Sequence, residues 1–303
     1  MRTTFVETLR ELAREDSRIY LLTADMGYSV FETFREEFPD RFLNTGIAEQ
    51  NTIGIAAGLA ARGNIVFVYS IIPFVTMRCF EQVRLDLAYN KSNVKIVGVG
   101  AGLSYGPLGA SHHALEDISI MRSLPNMTVL CPGDPVETRE LVKQSYEHDG
   151  PVYIRLGKQG EPKIHADDKK IPLGKAIKVT NGDDLVLITT STMLETGKRW
   201  IDEWESEGIS VSLVSMPTIK PFDSEYIKEL CKTRCPIITL EEHNVIGGLG
   251  SAVAEVIAEN NISVKFRRIG IEDIYSHNIG SANYLRKKFG LLDKPKLSSL
   301  NDL

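Results

Sequence analysis

Short apolar runs alternate with amphipathic stretches along most of this chain, and the alternation occurs in two blocks. In the first block, strand-like runs lie at Arg18–Ala24, Arg41–Leu43, Ile65–Tyr69, Val94–Val99, Met127–Leu130 and Val152–Arg155. Helical periodicity falls between them, at Val30–Phe38, Asn51–Arg62, Phe74–Ala88, Ala114–Arg122 and Asp134–Glu147. In the second block, strands are expected at Leu185–Thr189, Ile209–Val214, Pro236–Leu240 and Val264–Ile269. The matching helices are Met193–Glu207, Ser224–Lys232, Leu249–Glu259 and Ser281–Phe289. Strands that alternate with helices bury both faces of a mostly parallel sheet. The expectation is an α/β fold of two consecutive three-layer domains, each a mostly parallel sheet with helices on both faces. Between the blocks, Gly157 to Asp184 is rich in Lys, Asp, Gly and Pro and reads as a linker, with a small hairpin around Pro172 to Asn181. The 303-residue length agrees with two domains. Thr4 and Glu7 have the spacing of a capping box ahead of an opening amphipathic helix.

Composition narrows the function classes. The chain is 43% apolar and 25% charged with net charge −5, and it has no long basic block, which argues against nucleic acid as a main partner. The longest apolar run, Ile65 to Val75, is broken by Tyr69, Ser70 and Pro73 and is too short to cross a bilayer. No signal-peptide apolar region follows Met1, and the four cysteines suit a reducing cytoplasm better than a disulfide framework. Cys231 and Cys235 lie one helical turn apart, a spacing open to metal or redox use or to simple burial.

The stretch with most chemistry is Asn44-Thr45-Gly46-Ile47-Ala48-Glu49-Gln50, which reads as a strand end, a tight turn at Gly46 and a helix start. The helix that follows is small and apolar on every side, the pattern of a fully buried helix, and Gly54, Ala57, Gly58 and Ala61 would let another helix pack close. Glu49 is its one strong acid. A carboxylate there is stabilised by the helix dipole and free N–H groups, or it is a buried acid of raised pKa that shares a proton with a ligand base. Asp25-Met26-Gly27-Tyr28-Ser29 ends a strand, where open α/β sheets bind ligands. A loop with glycines at 98, 100, 102, 106 and 109 ends at Ser111-His112-His113. It is neither a P-loop nor a dinucleotide fingerprint, because the required spacing fails. Its glycines permit close backbone approach to some other group.

These stretches together resemble one family. Asn-Thr-Gly-Ile-Ala-Glu-Gln at 44–50, Ala-Ala-Gly-Leu-Ala at 56–60, Arg-Cys-Phe-Glu-Gln-Val-Arg at 78–84, Gly-Ala-Ser-His-His at 109–113, Pro-Asn-Met at 125–127, Cys-Pro-Gly-Asp at 131–134 and Glu-Glu-His-Asn-Val-Ile-Gly-Gly-Leu-Gly at 241–250 are similar, in order, to the C-terminal part of transketolase. The resemblance implies a pyrimidine-binding domain at 1–158, a linker at 159–184 and a transketolase C-terminal domain at 185–303. It implies thiamine diphosphate as cofactor and transfer of a two-carbon ketol or related acyl unit to an aldehyde or ketone. The family's Gly-Asp-Gly motif for diphosphate and Mg²⁺ occurs nowhere in this chain. A split enzyme follows from the resemblance: a separate chain holds the diphosphate and Mg²⁺, no metal ligand is expected here, and two copies of each chain form an α2β2 complex.

Residue by residue, the resemblance implies that Glu49 hydrogen-bonds the cofactor's pyrimidine nitrogen and favours its imino form. Phe74 falls where the family stacks an aromatic on that ring, and Ile71 replaces a neighbouring aromatic. Asp25, Met26, Ile47 and Arg78 are expected on the cofactor side. Ser29 and His112 are expected at the substrate, with His112 shuttling protons on an alkoxide. His243 reads as a packing or interface residue. Arg155 and Lys158 stand near the family's phosphate-binding arginine. Gly100 replaces a phosphate-contacting histidine, and Leu108 an Asp that contacts a sugar hydroxyl. These departures point to a less phosphorylated ketose, a nucleotide-linked sugar or a 2-oxo acid donor. Alternatives within the superfamily are a 2-oxo-acid dehydrogenase β-like subunit and a deoxyxylulose-phosphate synthase-like subunit. Outside it stands a non-catalytic regulatory or scaffold subunit.

Overall fold

A computed structural model describes residues 1–296, so the last part of the expected 185–303 domain lies outside the described residues. The strands run β1 (Ile19–Thr23), β2 (Phe42–Asn44), β3 (Ile65–Ile71), β4 (Val94–Val99), β5 (Thr128–Leu130), β6 (Val152–Leu156), β7 (Ile177–Lys178), β8 (Leu185–Thr189), β9 (Val211–Ser215), β10 (Thr218–Lys220), β11 (Ile237–Asn244) and β12 (Phe266–Ile271). The helices are α1 (Arg2–Glu15), α2 (Glu32–Glu37), α3 (Glu49–Ala60), α4 (Ile72–Thr76), α5 (Phe80–Gln82), α6 (Asp117–Ser123), α7 (Pro135–Glu147), α8 (Met193–Ser206), α9 (Ser224–Lys232), α10 (Leu249–Glu259) and α11 (Ala282–Lys288). They build a 7-stranded sheet of order β10-β5-β6-β4-β3-β1-β2 and a 5-stranded sheet of order β12-β11-β8-β9-β7. Every pairing is parallel except β10 on β5 and β7 on β9. β3, β4 and β6 are buried along their whole length, as continuous apolar strands in a covered parallel sheet should be.

Several local expectations change. α1 begins at Arg2, so Thr4 lies inside the helix and forms no capping box; its carbonyl instead accepts from the Thr8 hydroxyl. The composition of α3 predicts burial all round. It buries Glu49, Thr52, Ile53 and Ala56 against the sheet, while Gly54 and Gly58 face open space with nothing within 4 Å. No described element of this chain covers that side. The single helix expected over Phe74–Ala88 is broken into α4, α5 and a π-type turn at Val83–Tyr89. The hairpin near Pro172 is absent among the described residues. Its residues Ile177–Lys178 instead pair antiparallel with β9 at the edge of the second sheet.

The two domains are fused by packing. One cluster runs from Val66, Val68 and Ile96 of the first sheet to Ile188 and Val214 of the second and Val253 of α10. β10 leaves the second block of sequence to pair with β5, Thr218 opposite Leu130. The 159–184 segment is also clamped. Asp134 accepts from the backbone N–H groups of Ile164 (2.9 Å) and His165 (2.8 Å), and Glu137 lies 2.8 Å from His165 Nε2. This buried Asp-Glu-His group spends its oxygens on the fold.

Candidate active site

Apart from Arg155 and Lys158, the predicted residues lie at the C-terminal ends of β4, β3, β1 and β2, which are adjacent in the first sheet. Strand ends of this kind leave a crevice that side chains from successive loops can line. At the end of β2, Asn44 Oδ1 accepts from the N–H groups of Asp25 (3.0 Å) and Gly46 (3.1 Å), and its Nδ2 donates to Asp25 Oδ1 (3.1 Å). One amide thereby ties the β1 loop to the β2 turn. Asp25 and Ser29 both hold positive φ, 52° and 58°, which bends the loop sharply back. Met26 is fastened by its carbonyl, which accepts from Thr23 Oγ1 at 2.7 Å. Ser29 donates its backbone N–H to Glu32 at 2.7 Å.

The chain then turns at Gly46, φ 74°, and enters α3 at Glu49. Ile47, on the turn, is 78% exposed, whereas Glu49 is 4% exposed. A carboxylate buried to this degree needs a partner. It has Arg78, whose Nη1 donates to Glu49 Oε2 at 3.1 Å. The same guanidinium lies 4.1 Å from the centroid of Phe74. Phe74 sits on α4, at the end of β3, and His112 meets it edge-on with ring centroids 5.0 Å apart. Glu49, Arg78, Phe74 and His112 thus form one continuous cluster. Burial, and then the charge of Arg78, push the His112 imidazole below its ordinary pKa, which favours its neutral form. Its Nδ1 lies 3.0 Å from Ser111 Oγ.

The glycine-rich loop is pinned to its own chain. The Gly100 and Ala101 N–H groups donate to Leu156 O at 2.9 and 3.0 Å, and Ala114 N–H donates to Gly102 O at 2.9 Å. A Cβ at Gly102, φ 59°, would sit 2.4 Å from the Glu242 carboxyl carbon. The close approach that these glycines permit is therefore to neighbouring protein.

Two residues expected at the substrate separate. Lys158 is exposed, with Nζ 5.1 Å from the Tyr105 ring centroid. Arg155 is 1% exposed and points into the interior. Its Nε donates to Asp117 Oδ2 (2.8 Å), Nη1 to Ser191 Oγ (3.1 Å), and Nη2 to Ala114 O (2.9 Å) and Glu242 O (3.0 Å). Every nitrogen of the fork is engaged inside the protein, which takes Arg155 away from the substrate. Arg155 joins the domains instead. The Glu-Glu-His motif is spent on the fold as well. Glu241 accepts from the N–H groups of Leu249 and Gly250 at the start of α10, Glu242 pairs with Arg286 (2.7 Å), and His243 Nε2 accepts from Ser119 N–H (3.4 Å).

Sequence reasoning assigns no role to Asn44, Tyr105 or Asp117. Asn44 carries a signal, since an Asn two residues before a turn glycine commonly bonds its own backbone. Asp117 stands out only as an acid in an apolar helical stretch, and its partner lies 38 residues away.

The arrangement fits an aminopyrimidine. Arg78 shows that a flat group bearing N–H donors rests on the Phe74 face while bonding the Glu49 carboxylate. Among the described residues, the one cluster of acids and histidine close enough to hold a cation is Asp134, Glu137 and His165 at α7, away from this cleft. Known proteins match this chain over most of its length. The model of the transketolase pyrimidine-binding domain matches residues 1–162, and that of the transketolase C-terminal domain matches 174–294. A putative transketolase C-terminal section of Methanocaldococcus jannaschii is 42% identical, covering 96% of this chain and 92% of its own. The 6-deoxy-6-sulfo-D-fructose transketolase subunit SqwH of a Clostridium species is 39% identical, covering 97% and 91%. A solved structure described as a split gene transketolase, inactive β4 tetramer, superposes with TM-score 0.88 at 39% identity over 96% of this chain and 93% of that one. This chain belongs to the transketolase family of transferases, as a split subunit that joins the pyrimidine-binding domain to the C-terminal domain.

Proposed function

We propose that this chain is the pyrimidine-side subunit of a two-chain transketolase that moves a two-carbon ketol unit from a ketose donor to an aldehyde acceptor. The observation that carries the reading is the buried Glu49 carboxylate paired with a flat guanidinium, that of Arg78, which lies over the Phe74 ring. Thiamine diphosphate, when bound, supplies the carbon nucleophile that carries the ketol unit. Glu49 holds its pyrimidine nitrogen in a water-poor place, and Phe74 supports the ring. Asp25, Met26, Ile47 and Arg78 border the cofactor; Ser29 borders the substrate. His112, at the edge of the Phe74 ring, would hold and move a proton at a substrate oxygen. Lys158 lies farther along the same wall, while Arg155 keeps the two domains in register.

The relatives that are themselves split transketolase subunits support a separate N-terminal subunit, which would supply the diphosphate and Mg²⁺ sites. Two copies of each chain complete the cleft as an α2β2 complex. The open Gly54–Gly58 side of α3, the 78%-exposed Ile47 and the 94%-exposed Tyr28 are the surfaces that such contacts would cover. The free cysteines, Cys79, Cys131, Cys231 and Cys235, are in keeping with a reducing cytoplasm.

The test is reconstitution with the diphosphate-binding chain, thiamine diphosphate and Mg²⁺. Ketol transfer is expected from the pair and not from this chain alone. Glu49→Ala is expected to lower the rate by about 10²–10⁴-fold, the range for a lost proton-handling group. Strong turnover by the single chain would overturn the split, and near-normal turnover by Glu49→Ala would remove the role of the carboxylate.

A further inference from the structure

His112 rides on the loop between β4 and α6, which closes on itself where Ala114 N–H donates to Gly102 O at 2.9 Å. The second domain holds this loop along its length. Leu103 and Leu115 are buried in one cluster with Leu187, Trp200 and Leu213. A Cβ at Gly102 would run into the Glu242 side chain. Gly106 lies against the start of α11: a Cβ there would sit 2.5 Å from Gly280 O and 2.8 Å from Leu285 Cδ1. Leu115 O accepts from Asn244 N–H at 2.8 Å. Glu242 is the charged member of this brace. It is buried, and its carboxylate accepts from Arg286 Nε (2.7 Å), Arg286 Nη2 (2.9 Å) and the Thr192 hydroxyl (2.8 Å). Its carbonyl shares Arg155 Nη2 with the carbonyl of Ala114. One ion pair therefore ties β11 and α11 to the loop. The two histidines of the loop divide: His112 meets the Phe74 ring, while His113 is buried within electrostatic reach of Glu242.

We propose that Glu242 and Arg286 are positioning residues for the transfer reaction: by bracing the loop, the second domain sets where the His112 imidazole stands against Phe74. The proposal rests on the ketol-transfer reading above. A proton-handling group must stand within hydrogen-bond reach of the oxygen it serves. A loop with glycines at 98, 100, 102, 106 and 109 loses much backbone freedom when it is fixed, so its place needs support from outside. A buried ion pair is an exacting support, because neither partner can leave without stranding the other. Glu49 and Phe74 sit on α3 and α4, away from this brace. Loosening the brace should therefore impair proton handling at His112 and spare cofactor binding.

The test reconstitutes Arg286→Met, Arg286→Lys and Gly106→Ala with the diphosphate-binding chain. Arg286→Met is expected to lower kcat about ten- to a hundredfold, the range for a misplaced group, with thiamine diphosphate affinity unchanged. Arg286→Lys keeps the charge and is expected to recover part of the loss. In a His112→Ala background Arg286→Met should add little, because changes that act through one group are not additive. Gly106→Ala pushes the loop off α11 without stranding a charge, and it should give the same pattern even if Arg286→Met fails to fold. A readout apart from turnover is the rate at which diethyl pyrocarbonate modifies His112, followed by mass spectrometry. It is expected to rise severalfold in the folded variants. An equal loss of kcat with and without His112, or a modification rate unchanged in the folded variants, would overturn the proposal. If the wild-type pair transfers no ketol unit, the transferase reading fails, and the modification rate alone decides whether the brace places His112.

Discussion

Arg155→Met separates a structural arginine from a substrate ligand. Methionine keeps much of the apolar stem and none of the donors. The substitution strands the Asp117 carboxylate, which is fully buried and keeps only the Tyr153 hydroxyl at 2.6 Å. It also leaves Ser191 Oγ and the carbonyls of Ala114 and Glu242 without their donor. Breaking a buried pair by removing one partner typically costs about 3–5 kcal/mol. At about 2 °C per kcal/mol for a chain of this size, the melting temperature should fall by roughly 6–10 °C. Pairing the change with Asp117→Asn should cost less than the sum of the two single variants, since the uncompensated charge is then absent. The assay is thermal unfolding followed by circular dichroism, with KM for a phosphorylated donor measured on the reconstituted pair well below the transition. Arg155→Met with unchanged melting temperature and a strongly raised KM would refute the buried-network account and return Arg155 to the substrate.

Phe74→Ala removes the face on which Arg78 now rests, and it should weaken thiamine diphosphate binding by the reconstituted pair about tenfold, since a lost aromatic contact costs about 0.5–1.5 kcal/mol beyond its area; titration of the cofactor decides, and unchanged affinity would place the pyrimidine elsewhere. Gly102→Ala drives a Cβ into Glu242 at a positive-φ position, and a melting experiment should show destabilisation of roughly 1–3 kcal/mol or more; a neutral effect would mean that the loop relaxes freely. Burial lowers the His165 pKa, but the hydrogen bond and charge of Glu137, with the charge of Asp134, outweigh it and leave the pKa above its ordinary value. The stabilisation is then full below the unfolded value of about 6.5 and is lost as pH rises through the raised folded value. The stability advantage of the wild type over His165→Leu should therefore shrink between pH 6 and pH 9, and an advantage that grows over that range would contradict the sign.

Most of the architecture was legible in the order of residues. Buried parallel strands are short apolar runs, and β1, β3, β4, β6 and β8 appear close to where such runs lie. The cleft was legible for the same reason: a strand end, a turn glycine and a helix-start acid are consecutive in sequence, so Glu49 could be placed before any packing was known. What failed was local reading where distant groups intervene. The spacing of Thr4 and Glu7 suits a cap, yet α1 starts at Arg2. The 159–184 segment has a linker's composition, yet Asp134 and Glu137 clamp it and its Ile177–Lys178 completes a sheet.

The chain by itself determined that a carboxyl group follows one strand and an aromatic ring another, because strand, turn and helix start are consecutive in sequence; that those two strand ends flank β1 in one sheet was decided by the fold. Only the tertiary structure decided which cations reach the cleft. Arg155 and Lys158 are close in sequence and share a charge, but one is spent on a partner 38 residues away and the other stands over Tyr105. The physical reason is that an ionised side chain is ruled by what surrounds it after folding: in the interior it must be paired completely, and at the rim it stays available.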